Sequence, residues 1–302
     1  MINRKEYTER LKSMHRRIPD LASDVVFYWR NLILSNQKQK TSRRMIMKRM
    51  ATILMMGILL IAPAVHAEEQ QPAAAQGAIR NEQVMGRLTT MGQYLRGLKT
   101  FGIHADLTND EVLENGQKLQ FAGTADYLVK TPDRLRLEVK DDSRHRIYTY
   151  DNKSLTQYSP RLGYYATMET TGPIGKMLIG IKEKYDLDMP LADLFLWGTD
   201  KDGSADIKDA DFIGVEQMNG HDSEHFAFRQ EGVDWQIWIQ PGDQPLPDKL
   251  VITSTEDPAQ PAYVANLKWN LTPEVQESDF TFTPPQGATK IEIVRIDDSK
   301  KK

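Results

Sequence analysis

The chain contains no cysteine among its 302 residues. This absence excludes disulfides, thiolate nucleophiles, iron–sulfur clusters and cysteine-ligated zinc, and also the acylated cysteine of bacterial lipoproteins. Apolar runs are scarce too. Mean hydropathy is −0.54 and one apolar run dominates, which excludes a membrane protein with several spans. The length suits one or two domains with a buried core.

Positive and negative charges nearly cancel over the whole chain, but they are distributed unevenly between its N-terminal part and the rest. The formal net charge is −3, yet the first 67 residues hold 13 Lys and Arg against 4 Asp and Glu. Residues 68–302 therefore hold 26 against 38, a net charge of −12. Such a surface repels nucleic acid and anionic headgroups, so we expect no nucleic-acid partner and no adsorption to anionic membranes.

A processing signal separates these two parts. Residues 43–49 supply four basic side chains, residues 51–62 are apolar, and Val65-His66-Ala67 places small residues at positions −3 and −1 of a cleavage site. This order is typical of a secretory signal peptide, and the run is shorter than the roughly 20 residues that span a bilayer. A core helix would explain the run but not its flanks. We therefore predict a signal peptide at 44–67, cleavage after Ala67, and a soluble protein in the periplasm of a Gram-negative envelope.

The remaining segments divide around one domain. Residues 1–43 have no role in such a signal, and we interpret them as an over-extended gene model. Residues 42–48 resemble a twin-arginine signal, so both export routes stay open, the general secretory route being favoured. Residues 68–78 read as a disordered linker, 79–296 as a single domain, and 297–302 as a charged tail.

Periodicity predicts one helix followed by many strands. Val84, Leu88, Met91, Leu95 and Leu98 form a single stripe, which predicts a helix over residues 79–100. A second helix is expected at 174–185 and a short turn at 190–197. Residues 134–140 alternate apolar and charged, as in a strand that is wet on one face. Similar runs lie at 120–130, 145–150, 155–158, 164–168, 224–229, 233–240, 249–255, 263–269, 280–283 and 290–294. The pattern predicts an α+β fold: a curved antiparallel sheet with helices over its concave face.

Several segments resemble a known fold group. Residues 127–160 and 246–252, and the string Phe-Thr-Phe-Thr-Pro-Pro-Gln-Gly at 280–287, resemble the lipoprotein carrier LolA and its relatives LolB and LppX. The string Asp-Trp-Gln-Ile-Trp-Ile at 234–239 is more similar to DUF2092, an uncharacterised family of predicted periplasmic proteins. The resemblance covers about residues 81–293.

This resemblance implies a half-open β-barrel of about eleven strands, covered by helices, around an apolar cavity that shields acyl chains. One position departs from the carriers. They have an arginine before a proline, and this arginine bonds to the lid; here Thr131 precedes Pro132, and Lys130 is one residue too early. The carriers' lid mechanism should therefore not be assumed for this chain.

Alternation alone selects the candidate cavity residues. These ligand-binding candidates are Leu135, Leu137, Val139, Phe226, Phe228, Trp235, Ile237, Ile239, Phe280 and Phe282. An ordinary packed core would show the same pattern, so that interpretation stays open. Trp238 falls on the face opposite Trp235 and is either exposed, which would indicate a partner contact, or covered by another element.

Three motifs that suggest metals or phosphate are set aside. His221 to His225 spells H-x-x-E-H, but the segment reads as a strand, where residues four apart lie about 13 Å apart and cannot share one zinc. The acidic residues from Asp200 to Asp211 lack the glycine and glutamate of an EF-hand and read as a solvated loop. Residues 172–177 lack the spacing of a phosphate loop. His104 and His145 read as surface residues without partners. We expect no metal and no cofactor.

Two functions from different classes follow. The first is a periplasmic protein that binds or shuttles a hydrophobic ligand, a lipid or a lipoprotein acyl chain. The second is an envelope interaction or sensor module in which the same barrel is solidly packed. No catalytic set can be named, so we expect no enzyme.

Overall fold

The structure is a computed structural model that describes residues 80–293. The predicted N-terminal extension, signal peptide, linker and charged tail (1–43, 44–67, 68–78 and 297–302) lie outside the described residues. Within residues 80–293, no helix is both long and apolar enough to cross a bilayer.

One open sheet of twelve strands dominates the domain. Its strands are β1 (Thr100–Val112), β2 (Lys118–Lys130), β3 (Arg134–Asp141), β4 (His145–Tyr150), β5 (Ser154–Ser159), β6 (Tyr164–Glu169), β7 (Asp209–Met218), β8 (His221–Gln230), β9 (Val233–Ile239), β10 (Pro247–Ser254), β11 (Ala262–Asn270) and β12 (Thr289–Lys290). The spatial order is β12-β6-β5-β4-β3-β2-β1-β11-β10-β9-β8-β7. All neighbours are antiparallel except β12, which pairs parallel with β6. The predicted curved, half-open antiparallel sheet is confirmed, with twelve strands rather than about eleven.

Two α-helices and three 3₁₀ helices complete the described part. Helix α1 (Glu82–Gly97) begins where Asn81 accepts hydrogen bonds from the Gln83 and Val84 amides, so it is shorter than the predicted 79–100. Helix α2 spans Ile174–Tyr185 as predicted. The 3₁₀ helices are Ala192–Phe195, Ser204–Asp206 and Glu277–Phe280. The first of these lies in the predicted turn at 190–197.

Local sequence explains most of the strands and fails at four places. One is the strand predicted at 290–294, of whose described residues only Lys290 lies in a strand. Turn residues connect several of the paired strands: Gly116, Asn152 and Gly242 adopt φ of 80°, 65° and 83° in three of these connections. Strands β1 and β7 were not predicted, because polar residues interrupt the alternation in β1 and a bulge between Phe212 and Gly214 shifts it in β7. The strand predicted at 280–283 is wrong, since the chain there leaves a 3₁₀ helix.

The apolar core lies between the concave face of the sheet and a cover. We use "the cover" for α1, α2 and the connection 186–208. The α1 stripe of Val84, Leu88, Met91 and Leu95 is buried in this core, as predicted from its spacing. Helix α1 meets the connection at Gly92, where an added Cβ would lie 2.6 Å from the Gly198 nitrogen, so glycine is required for this approach.

The C-terminal segment crosses the outer, convex face of the sheet. Glu277 in this segment forms ion pairs with Lys130 and with Arg134 (3.5 Å). These two basic residues alternate with the buried Val129 and Leu135 along β2 and β3, so they point away from the cover. The C-terminal segment therefore covers the convex face of β3 and β4. Among the described residues, the outer edge of β7 is paired only at the Arg80–Ala210 bridge, and that of β6 only by β12.

Candidate functional site

Eight of the ten candidate residues share the concave face. Seven of them are buried in the core against the cover: Leu135, Leu137, Phe226, Phe228, Trp235, Ile237 and Ile239. Val139 is half-buried and packs against the same cluster. The sequence pattern therefore brings these residues to one face, where they can line a ligand cavity or form a packed core.

Phe280 and Phe282 lie elsewhere. Phe282 contacts the rings of Tyr158 and Tyr165 at centroid distances of 5.6 and 5.1 Å. Phe280 is buried in the C-terminal segment that carries Glu277 across the convex face. The two phenylalanines therefore do not join the residues beneath the cover. Assigning them to the concave face assumed a strand that the chain does not form.

Aromatic rings fill the concave face near β8 and β9. Phe228 and Trp235 stack at 4.0 Å, and Trp197 of the cover lies parallel to Trp235 at 6.4 Å. The Trp235 indole also donates a hydrogen bond to the Gln230 side chain (2.9 Å). Trp235 is therefore held in one orientation, in contact with the cover.

Polar contacts hold the connection 186–208 against α1 and against β2. The Arg96 guanidinium donates to the carbonyls of Leu194 and Phe195, and the Tyr127 hydroxyl donates to the carbonyl of Pro190. Burial lowers the pKa of Arg96. Arg96 thus holds the connection to the C-terminal end of α1. Thr131 donates to the carbonyl of Leu98 (2.8 Å), just after α1.

A further contact ties α1 to β8. Arg87 donates through Nε to Glu224 (2.6 Å) and through Nη2 to the carbonyl of Gln240 (2.7 Å). Lys182 of α2 pairs with Asp188 in the connection. Sequence patterns do not reveal these pairs, because each joins residues that are distant in the chain or that lie in irregular segments.

Three polar groups lie where the cover meets the sheet. Asp193 is half-buried, and burial of its carboxyl raises its pKa to about 6. The Tyr263 hydroxyl is buried without a hydrogen-bond partner among residues 80–293, and burial raises its pKa, with a further contribution from Asp193. Burial also raises the pKa of Tyr127. This interface contains polar groups that a purely apolar core would not include.

The H-x-x-E-H segment lies on β8, as its strand pattern predicted. His221 contacts Asp248 (2.9 Å), whereas His225 contacts Glu216 (2.9 Å). Ser223 also donates to Asp248, so serine and histidine both bind the carboxylate and no serine–histidine relay forms. Within the described part of the chain, no group of three or more acidic or histidine side chains is placed to hold a metal ion.

Trp238 is buried on the convex face, so it is not an exposed partner contact. Its ring stacks on His225 at 3.9 Å and lies under the Lys249 ammonium at 4.4 Å. Its indole donates to Glu216 (2.9 Å). Neighbouring strands therefore supply the covering groups that the sequence left unidentified.

Two other histidines have partners that the sequence did not indicate. His104 contacts Asp126 (2.6 Å), and this hydrogen bond raises the pKa of His104. His145 contacts Glu138 (2.7 Å). The expectation that both lack partners is wrong, because cross-strand pairing places carboxylates beside them.

An exposed apolar group lies on the open edge strand β7. The relative exposures of Phe212, Ile213 and Val215 are 52%, 55% and 57%. Phe212 and Val215 pair with Phe226 and Glu224, and therefore point to the concave side. No strand pattern predicted this group, since β7 itself was missed.

Comparisons with known proteins place the chain in a family. The model of DUF2092, described as a predicted periplasmic protein, matches residues 85–294. The chain belongs to the DUF2092 family. The predicted relation to this family is thus confirmed. A search of curated protein sequences gave no match.

Solved structures similar to this DUF2092 member have low sequence identity. Lipoprotein LppX of Mycobacterium tuberculosis is 9% identical with a TM-score of 0.41, over 65% of this chain and 100% of LppX. A LolA superfamily protein of Nitrosomonas europaea is 8% identical with a TM-score of 0.31, over 66% and 97%. MucB, solved in complex with MucA(peri), is 10% identical with a TM-score of 0.31, over 67% and 60%.

Proposed function

We propose that this protein is exported by cleavage after Ala67 and binds a hydrophobic ligand in the periplasm, a lipid or a lipoprotein acyl chain. The ligand would occupy the concave face of the sheet beneath the cover. The observation that carries this proposal is a continuous apolar concave face under a cover whose interface includes unpaired polar groups.

The chemistry of the concave face suits an acyl chain. Leu135, Leu137, Ile237 and Ile239 present only aliphatic atoms to the interior. Moving a methylene group out of water gains about 0.8 kcal/mol, so a chain of fourteen to sixteen carbons would gain on the order of 10 kcal/mol before ordering costs. This gain is large enough to compete with cover contacts worth about 1–3 kcal/mol each.

The cover is the element that would move. It contacts the sheet through side chains of α1, α2 and residues 186–208, whereas the strands hold one another through continuous backbone ladders. Displacing Arg96 and Tyr127 from their carbonyl acceptors would release residues 190–195 without breaking a strand pair. Access to the concave face is therefore compatible with an intact sheet.

Native mass spectrometry tests the proposal. The protein is purified from its own periplasm without detergent, and co-purifying lipids are extracted and identified. We expect an acyl species at near-stoichiometric amount. A clean apo mass, together with no uptake of added fatty acid or phospholipid, would contradict the proposal.

A photoreactive fatty acid locates the bound chain. Ile237 and Trp238 are adjacent in β9 but point to opposite faces, so they provide a matched pair within one peptide. We expect cross-links at Ile237, Leu137 or Ile239 and none at Trp238. Cross-links confined to the convex face would place the ligand outside the proposed site.

A second candidate function is a non-enzymatic envelope interaction module. The observation that favours it is the exposed group of Phe212, Ile213 and Val215 on the open edge of β7, since exposed apolar edges pair readily with other chains. A photoreactive residue placed at 213 in cells should then form an adduct, and Val215→Asp should abolish it. Leu162, which is 69% exposed at a distant turn, is the matched control position.

A further inference from the structure

A cleft of about 680 Å³ lies at the other open edge of the sheet, between α2 and β6. Lys176 and Lys184 line it from α2, and Lys153 lines it from the turn before β5. Ser154, Thr167, Thr170 and Thr171 also line it. The cleft is open because β12 pairs only with Tyr164 and Tyr165, which leaves the rest of the β6 edge without a strand partner in the described part.

The charge of this cleft is opposite to that of the protein. Three lysines face one carboxylate, Glu169, and none of the three forms an ion pair within 4.0 Å with any residue of 80–293. By contrast, Lys182 of the same helix pairs with Asp186 (2.6 Å) and Asp188. Unpaired ammonium groups around one cavity repel one another, so an anion bound between them would remove an electrostatic cost.

Lys176 occupies an unfavourable position for a structural lysine. It lies in the first turn of α2, which contains no acidic residue. The positive end of the helix dipole disfavours a cation at this position. A residue that violates a local rule in a cleft is more readily explained by binding than by folding.

The cleft borders the apolar core. Met168 alternates with Thr167 and Glu169 along β6, and Met177 follows Lys176 in α2. Both methionines are fully buried under the cover. Since Met168 alternates with Thr167 and Glu169, these two residues point to the opposite face of β6. The apolar part of a ligand with its anionic head at the lysines would therefore pass around the open edge of β6, beside α2, to reach the concave face.

We propose that this cleft binds a phosphate group, and that it receives the headgroup of an anionic lipid whose acyl chain lies on the concave face. The acyl part rests on the proposed function, whereas the phosphate site does not. The same chemistry would accept a free organic phosphate, so the test separates these two sources. Three ammonium groups and neighbouring hydroxyls can neutralise and hydrogen-bond the phosphate oxygens.

The test measures the Kd of three probes by isothermal titration calorimetry. The probes are lysophosphatidylglycerol, the monoacylglycerol of the same chain, and glycerol 3-phosphate. The test variant combines Lys153→Gln, Lys176→Gln and Lys184→Gln. The control variant combines Lys201→Gln, Lys208→Gln and Lys268→Gln, which are exposed lysines elsewhere and give the same change of net charge.

We expect the test variant to raise the Kd for lysophosphatidylglycerol at least tenfold and to leave the Kd for monoacylglycerol unchanged. The control variant should have the same Kd values as the natural protein. Because all six lysines are exposed, thermal melts should show both variants folded. Binding of glycerol 3-phosphate alone, lost in the test variant, would support the phosphate site with a free phosphate and refute the lipid source. An unchanged Kd in the test variant, an equal loss in the control variant, or no phosphate probe bound by the natural protein would overturn the phosphate site, even if monoacylglycerol binds.

Discussion

Replacing Arg96 by methionine should release the connection 186–208 from α1 without unfolding the sheet. Methionine has a similar length and no charge, so Arg96→Met removes the donors to the carbonyls of Leu194 and Phe195. Hydrogen bonds to charged groups contribute about 1.5–3 kcal/mol each. In the natural protein, the stabilisation from these two hydrogen bonds is partly offset by the cost of burying Arg96 Nε, which has no partner among the described residues. We therefore expect a net loss of about 2 kcal/mol.

This loss has a thermal and a local signature. For a domain of this size, about 2 kcal/mol corresponds to a fall in Tm of about 4–8 °C. Hydrogen–deuterium exchange should accelerate in residues 190–199 more than in β1, β2 and β11, because only the connection loses its attachment. Arg229→Met is the matched control, since Arg229 is 62% exposed and pairs with Asp234 at the surface, where the expected loss is below about 1 kcal/mol.

Two outcomes would contradict this reasoning. If Arg96→Met leaves both Tm and the exchange of residues 190–199 unchanged, the two hydrogen bonds do not hold the cover. If exchange accelerates equally in the connection and in the central strands, Arg96 stabilises the whole domain and the cover does not open separately. Only faster exchange in residues 190–199, without faster exchange in the central strands, supports a connection that opens separately from the sheet.

Three further predictions follow from single side chains. Because burial raises the pKa of Asp193 from 3.8 to about 6, the folded state loses stability as pH rises through this window; Asp193→Asn should therefore raise Tm at pH 7.5 by more than at pH 4, as measured by differential scanning fluorimetry. Trp197→Ala removes the ring that stacks near Trp235 and should cost about 3–5 kcal/mol in urea unfolding. Lys249→Met removes the ammonium over Trp238 and should cost about 0.5–1 kcal/mol in the same assay, while Trp238 stays buried in fluorescence quenching.

Strands were predictable from the sequence where one face of the strand is buried and the other is exposed to solvent. Residues 134–140 alternate without error because β3 has the cover on one side and solvent or the C-terminal segment on the other. Strand β7 was not predictable, because Ile213 is inserted at a bulge and apolar side chains appear on an exposed edge. Phe280 was misplaced because alternation over four residues cannot distinguish a short strand from a 3₁₀ helix.

The candidate site was predictable only in its apolar part. Alternation identifies which residues share the concave face, and eight of the ten candidates do. It cannot find Arg96, whose role depends on a helix end meeting an irregular connection, or the lysine cleft, whose members come from α2 and from the turn before β5. Both depend on tertiary contacts between segments without a shared period.

The positions of buried polar groups without partners indicate which part of the domain opens first. The Tyr263 hydroxyl and Arg96 Nε have no partners within residues 80–293, and Asp193 ionises above about pH 6. Each unpaired buried group costs about 1–3 kcal/mol, a cost that phenylalanine at position 263 would avoid. Tyr263 and Asp193 lie between the connection and the sheet, whereas Arg96 lies within the cover, between α1 and the connection. Because these costs gather around the connection 186–208, we expect it to separate before neighbouring strands do.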